Sequence, residues 1–351
     1  MNPRAVQAER NAGTSGRVVR NVSIDSVDSA TQTDEPLADQ ESRMNAYVPR
    51  GQLFDDELLR RGQLLATHHA NALSRMDERP FARVPTAEFR EIPFVEAFFD
   101  PTHIYARVPL QPHPLRPATT DDLINGYLRC FVLFSDWHLH FEEFQSFKYH
   151  DRITLAKSRF YLFNYWISSI WTADCEVDAI IYPNGTYFQR GGDPNQTGPQ
   201  LNLMTDLMNR MLDTVVRELR SLKLNEVERC CLYVVAFFTD VEKLGLAKES
   251  VELAAQIRER YIRILHTHVL QQMSAVVESS PADPSFAQHL MRQQSEASVR
   301  CSKILLLVSS LMSLVTQSPN EGRLGDSIVA RVFSSPPSPM DLKPVQFVSH
   351  H

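Results

Sequence analysis

Few residues in the chain could do chemistry, and their spacing serves it badly. Histidines occur in close sets at His68 and His69, His138 and His140, and His266 and His268. Residues two apart on a helix point about 200° away from each other. Neither spaced pair can therefore close on one ion, and no second ligand pair sits at a fitting spacing. The adjacent His68 and His69 fare no better. Five cysteines, Cys130, Cys175, Cys230, Cys231 and Cys301, form no C-x-x-C pair. That argues against a zinc knuckle or a disulfide framework. Most lie in apolar surroundings and read as reduced core thiols. Glu142 and Glu143 read as a solvated face, not an acid/base pair. No G-x-S-x-G, Walker or G-x-G-x-x-G pattern occurs. Nothing supports catalysis, and no metal is expected.

The totals point the same way. The chain has 351 residues, a hydrophobic share of 43% and a formal charge of −6. The apolar share is enough for a real core, and the modest acidity argues against a general polyanion binder. Arg4, Glu9 and Arg10 stand where a signal peptide would need an apolar core. The run Ile304–Val315 is too short for a bilayer, which needs about 20 residues.

The elements that must position the side chains centre on Asp136–Ala173. Trp137, Phe141, Phe144 and Phe147 fall on one helical face. The run Ile153–Trp171 is apolar almost all round, so it must sit in the middle of a large helical domain. Thr119 and Asp122 form a capping-box signature, and a helix is expected from about Asp121 to Lys148. Asn184-Gly185 in AIIYPNGTYFQR signals a β-hairpin, the one convincing strand pair. Helices are expected over Leu53–Met76, Leu201–Leu222, Asn225–Phe238, Glu249–Met273 and Phe286–Thr316, with a short one at Arg323–Phe333. The proline-rich stretch Pro80–Pro117 is expected to be irregular. Residues 1–50 and 334–351 are polar and aperiodic, and are expected to be disordered.

Four stretches in this order carry a resemblance. Trp137, Phe141, Phe144, Phe147, Asp151, Arg152, Leu155, Ala156 and Lys157 fill a frame of Trp, apolar positions, Phe, a turn, Asp-Gln and Leu-Leu-Lys. The hairpin Ala179–Arg190 follows directly. In LNEVERCCLYVVAFFTDVEKLGL, Phe237, Phe238, Gly245 and Leu246 stay in step with a second family passage. In VRCSKILLLVSSLMSLV, Arg300, Lys303 and Leu311 match a dimer helix. The chain resembles a nuclear hormone receptor ligand-binding domain, of the divergent nematode kind related to hepatocyte-nuclear-factor-type receptors. The start, MNPRAVQAERN, is similar to the segment that follows the second zinc module of such receptors. The resemblance implies an all-α, three-layer antiparallel helical sandwich with one short β-hairpin over residues 51–333. A remnant of the DNA-binding extension would precede it, without the zinc cysteines.

The resemblance also implies sites. A lipid or steroid-like ligand would lie among Leu123, Tyr127, Cys130, Phe134, Asn164, Ser168, Trp171 and Ile181, unless these side chains simply fill the core. The position that often holds an Arg for a ligand carboxylate falls on Trp171, which argues against an acidic lipid. A coregulator groove would involve Leu139, Phe144 and Lys157, with Leu139 in the usual place of a clamping lysine. No apolar-apolar-x-Glu-apolar-apolar helix occurs near the C-terminus, which favours constitutive, repressive or partner-dependent behaviour. Arg300, Lys303, Leu307 and Leu311 would form the dimer helix. The implied role is a nuclear transcription regulator that binds an apolar ligand or none, with coregulators and a homo- or heterodimer partner. The alternative is a protein without DNA contact that titrates full-length receptors. A helical lipid carrier is a third reading.

Overall fold

Asp55 opens the first ordered helix. From there the computed structural model describes residues 55–78, 93–192, 199–274 and 286–316. The expected N-terminal and C-terminal tails and the helix Arg323–Phe333 lie outside the described residues. Helix α1 (Asp56–Ser74) is N-capped by the Asp55 carboxylate, which accepts from the Glu57 and Leu58 amides at 3.1 and 3.2 Å. Asp55 therefore precedes the first turn instead of lying within it. Gly62 lets α1 lie close on its neighbours, because a Cβ there would stand 3.1 Å from both Ile264 and Val227.

The described part of the proline-rich connection, from residue 93 on, is more regular than its composition predicts. It forms the short helix α2 (Phe94–Phe99), a 3-10 turn at Pro101–His103 and the strand β1 (Gln111–Pro117). This strand is an edge. Its prolines have no N–H to give, and an edge strand needs donors on one side only. It pairs in parallel with β3 (Asn184–Gln189), with a register break between Gln111↔Asn184 and Arg116↔Thr186. The expected hairpin forms, with β2 (Ala179–Ile181) antiparallel to β3 and Ile181 opposite Tyr187. The sheet order is β1-β3-β2, so the hairpin gains a third strand. Gly185 turns the chain at φ +77°.

Helix α3 (Thr120–Leu139) starts on the expected capping box: the Asp122 amide donates to Thr119 Oγ1, and the Thr119 amide donates back at 2.8 Å. It does not run to Lys148. His140 leaves helical geometry, and a short α4 (Glu142–Gln145) follows. The carbonyl of His138, released by the break, accepts from the Phe141 amide and from Gln145 Nε2. Trp137, Phe141, Phe144 and Phe147 are all buried. They converge from a helix end, two corners and a short helix, not from one helical face.

The central helix α5 (Tyr149–Asp174) begins before the expected Ile153. Asp151 lies inside its first turn, buried, and accepts from Ser250 Oγ at 2.5 Å. Helix α6 (Pro199–Met211) continues through a π turn (Leu212–Val216) into α7 (Arg217–Leu222). Helices α8 (Glu226–Phe237), α9 (Lys248–Ser274) and α10 (Phe286–Thr316) complete the described chain. Helix α5 packs against α3 on one side and against α8 and α10 on the other. Helix α9 lies on α8 and α10, and α1 covers α8 and α9. This is a layered helical sandwich with a small sheet. Its middle is aromatic: Trp166 stacks on Tyr233 at 4.5 Å, and Phe163 and Trp137 meet Tyr233 edge-on. The buried Arg159 donates to the Phe237 and Thr239 carbonyls at the end of α8, where a cation suits the helix dipole.

Candidate functional site

The hairpin is tied to both helices it faces. Asn184 Nδ2 donates to the Asp122 carbonyl at the start of α3, and the Ile181 amide donates to Thr172 Oγ1 near the end of α5. Tyr182 lies over Gly126, where a Cβ would meet its ring at 3.3 Å. Its hydroxyl reaches Met208 Sδ on α6. Arg220 completes the wall by donating from Nη2 to the carbonyls of Thr172, Cys175 and Val177. These contacts tie α3, α5, the hairpin and α6 together.

The eight expected ligand residues all lie on α3, α5 and the hairpin. Leu123, Tyr127 and Cys130 lie on the inner stripe of α3; Ser168, Trp171 and Ile181 are buried, and Asn164 is half-buried. Tyr127 meets Phe160 edge-on at 4.9 Å, and its hydroxyl neighbours that of Tyr161. Burial pushes the Tyr127 hydroxyl well above its usual range and the Cys130 thiol up to about 12, so both stay protonated and uncharged. Phe134 lies farther along α3. It packs among Phe98, His138, Phe160 and Phe163 at 4.3–5.7 Å, in the aromatic core away from the hairpin. Sequence reasoning missed Tyr161, Tyr165 and Tyr182 as further phenol walls.

Three polar atoms here are buried without a hydrogen-bond partner: the Tyr127 hydroxyl on α3, and Asn164 Oδ1 and Ser168 Oγ, which lie one turn apart on α5. A helical serine easily satisfies its hydroxyl on the carbonyl four residues back. Ser135, Thr154, Thr214, Ser298 and Ser302 all do this. Ser168 does not. An unmet buried hydroxyl costs about 1–3 kcal/mol.

The expected groove residues do not line an open groove. Leu139 is half-buried at the end of α3. Phe144 is fully buried against Phe98, His138 and Phe237. The Lys157 ammonium sits 5.6 Å over the Phe94 ring. The dimer-helix residues also divide. Leu307 and Leu311 are 2% and 0% exposed and point into this chain's own core, so they are not available to a partner. Arg300 is held by Glu228 through two hydrogen bonds of 2.7 and 2.8 Å. Of the four, Lys303 alone is fully exposed, and the outward face is completed by Val299 and Leu306, which is 69% exposed. Among the described residues, Gln288–Thr316 is long and apolar enough to cross a membrane, but its inner face is packed on α5, α8 and α9.

The histidines are held singly. His138 Nδ1 faces the Phe134 carbonyl at 2.7 Å, and His140 Nδ1 faces that of Asp136. One cluster the sequence did not reveal brings His69, Glu226 and Cys230 within 4.8 Å of one another. Glu226 is already paired with Arg229 at 2.9 Å, and burial holds the Cys230 thiol protonated. Arg229 is shared with Asp174, and His69 Nδ1 is buried without a hydrogen-bond partner. A second missed feature is Asp136, a buried carboxylate that accepts from both Arg107 (2.8 Å) and Arg75 (3.5 Å).

Comparison with known proteins gives one family. The sequence profile described as ligand-binding domain of nuclear hormone receptor matches residues 110–325. Nuclear hormone receptor family member nhr-4 of Caenorhabditis elegans is 25% identical over 232 residues, which is 66% of this chain and 42% of that protein. Family member nhr-61 of the same organism is 24% identical over 339 residues, 93% of this chain and 72% of its own length. The chain thus spans less than half of the first relative and nearly three quarters of the second.

Proposed function

Since this chain belongs to the nuclear hormone receptor family, we propose that it regulates transcription in the nucleus by binding a small apolar molecule inside the sandwich and protein partners outside it. The carrying observation is the pair Asn164 Oδ1 and Ser168 Oγ, buried, unpartnered and one turn apart on α5, with the Tyr127 hydroxyl of α3 unpartnered as well. A pocket that is mostly hydrophobic with a few convergent polar groups fits a lipid or steroid-like guest. Trp171 stands where a carboxylate's arginine would be expected. The nearby Arg220 donates from Nη2 to three backbone carbonyls while its Nε is unpartnered, so a neutral guest is favoured on the Trp171 position alone. Coregulators would dock near Leu139 and Lys157, and a second receptor chain on Lys303 and Leu306.

Native mass spectrometry of the purified chain tests the reading, with a reporter assay of the chain fused to a heterologous DNA-binding domain. An apolar guest should accompany the wild type and be absent from N164L/S168L, and the reporter should respond to the fused chain. A reporter indifferent to it would remove the reading. The outward face of α10 also supports a protein that pairs with full receptors and touches no DNA itself. Tight, sequence-specific gel-shift by this chain alone would remove that alternative.

A further inference from the structure

Among the described residues, His69 of α1 converges with Glu226 and Cys230 of α8, and their donor atoms all lie within 4.8 Å of one another. The sequence itself brings two of them together. Glu226 and Cys230 are four apart, so they share one helical face. The capping box of Asn225 and Glu228 fixes where α8 starts and sets Glu226 in its first turn. Packing supplies the third. Gly62 lets α1 approach α8, with Val227 at 3.1 Å from where a Cβ would stand, and His69 lies two turns farther along α1.

His69 is 4% exposed, and its Nδ1 has no hydrogen-bond partner. Its ring lies edge-on to Trp166 at 5.3 Å, and the Trp166 indole donates to the Arg229 carbonyl at 3.1 Å. Burial keeps the imidazole neutral, so one ring nitrogen carries a lone pair. Cys230 is buried and Glu226 is exposed, so the cluster meets water on its carboxylate side. Arg229 does not close it. Its Nη1 stands 2.9 Å from Glu226 Oε1 and also 2.9 Å from Asp174 Oδ2, so Asp174 keeps the guanidinium when Glu226 turns to a cation.

We propose that His69, Glu226 and Cys230 bind one Zn2+ ion, with water as the fourth ligand, and that the ion clasps α1 to α8. Imidazole, thiolate and carboxylate are donors that zinc takes, and three protein ligands with one open position is a set it accepts. Metal–ligand distances of about 2.0–2.3 Å in a tetrahedron put the donors ~3.5 Å apart, so the side chains close in by about an ångström on binding. The Zn–S bond forms as the S–H bond breaks, and the thiol proton leaves to water. Thiolate and carboxylate then match the two charges of the ion, while Asp174 matches Arg229. No residue of the ligand site takes part, so the ion binds whether or not a guest does.

The test uses the full chain, stripped of metal with a chelator, and Co2+ as a coloured probe. The wild type should take up Co2+ with a thiolate-to-cobalt charge-transfer band, and Zn2+ should displace it. The band should vanish in C230S and survive in C301S. H69A and E226Q should each weaken Zn2+ binding in calorimetry by at least about tenfold, the low end of what even an outer partner of a metal ligand costs. Zn2+ should raise the melting temperature of the wild type but not that of H69A. A wild type without the band, or a band that C230S retains, overturns the proposal. So does wild-type affinity in E226Q, which alters an exposed side chain and decides the matter even where the buried replacements do not fold.

Discussion

His138 shows what a single residue records. Its Nδ1 faces a carbonyl that can only accept, so Nδ1 carries the proton and Nε2 accepts from the Tyr233 hydroxyl at 3.0 Å. Both nitrogens are used and the ring is neutral. Burial pushes its pKa down to about 3, and that of His69 to about 4, from the ordinary 6.5. The unfolded chain takes up protons below pH 6.5 and the folded chain does not. The stability from each neutral imidazole is therefore whole above pH 6.5 and is lost as pH falls toward the folded value, at ~1.4 kcal/mol per pH unit per histidine. Urea titrations between pH 7 and 4.5 should show His138→Gln flattening this slope by about one proton's worth; an unchanged slope would contradict the buried neutral ring. Glu228 makes a second residue-scale case. It accepts from Arg300 and from the Asn225 amide that it caps. Glu228→Ala should cost ~3 kcal/mol of unfolding free energy, and the double replacement E228L/R300L should recover most of it.

At the scale of elements, the apolar stripes were legible and their ends were not. The periodicity of Phe286–Thr316 and Lys248–Ser274 reads directly, because long amphipathic helices repeat their signal many times. The break at His140 does not read, because no proline or glycine marks it. It follows from tertiary packing that draws Phe141, Phe144 and Phe147 inward from a corner. The strand β1 was hidden by its prolines, whose missing N–H groups an edge strand tolerates. Gly185 is where the sheet is most exposed to substitution. Its φ of +77° suits glycine, and a Cβ would stand 2.9 Å from Leu115. Gly185→Val should cost ~2 kcal/mol in thermal unfolding and loosen β1 from β3, visible as faster exchange of the Ala118 amide, which donates to Tyr187.

At the scale of the whole molecule, the family order of elements was legible and the division between core and surface was only partly so. Leu307 and Leu306 are neighbours in sequence, and nothing in composition says which one faces water. The structure separates their consequences. Leu307→Ala should cost ~3 kcal/mol of stability by leaving a cavity, with little effect on assembly. Lys303→Glu with Leu306→Glu should leave the melting temperature unchanged within the ~0.5 kcal/mol typical of surface changes, yet abolish self-association in analytical ultracentrifugation. A double variant that stays paired would move the interface off α10. The proposed ligand site rests in sequence on polar residues along an oily helix. The unmet state of Asn164 and Ser168 could be seen only once their surroundings were placed.

The carboxylate of Asp136 holds Arg75 from one side of the 79–92 stretch and Arg107 from the other. A single peptide bond cut between them would thus leave both new ends moored to the same oxygen pair. Such a nicked chain should migrate as one species on a native gel and as two fragments in detergent. In D136N the shorter fragment should wash away at lower urea than in the wild type.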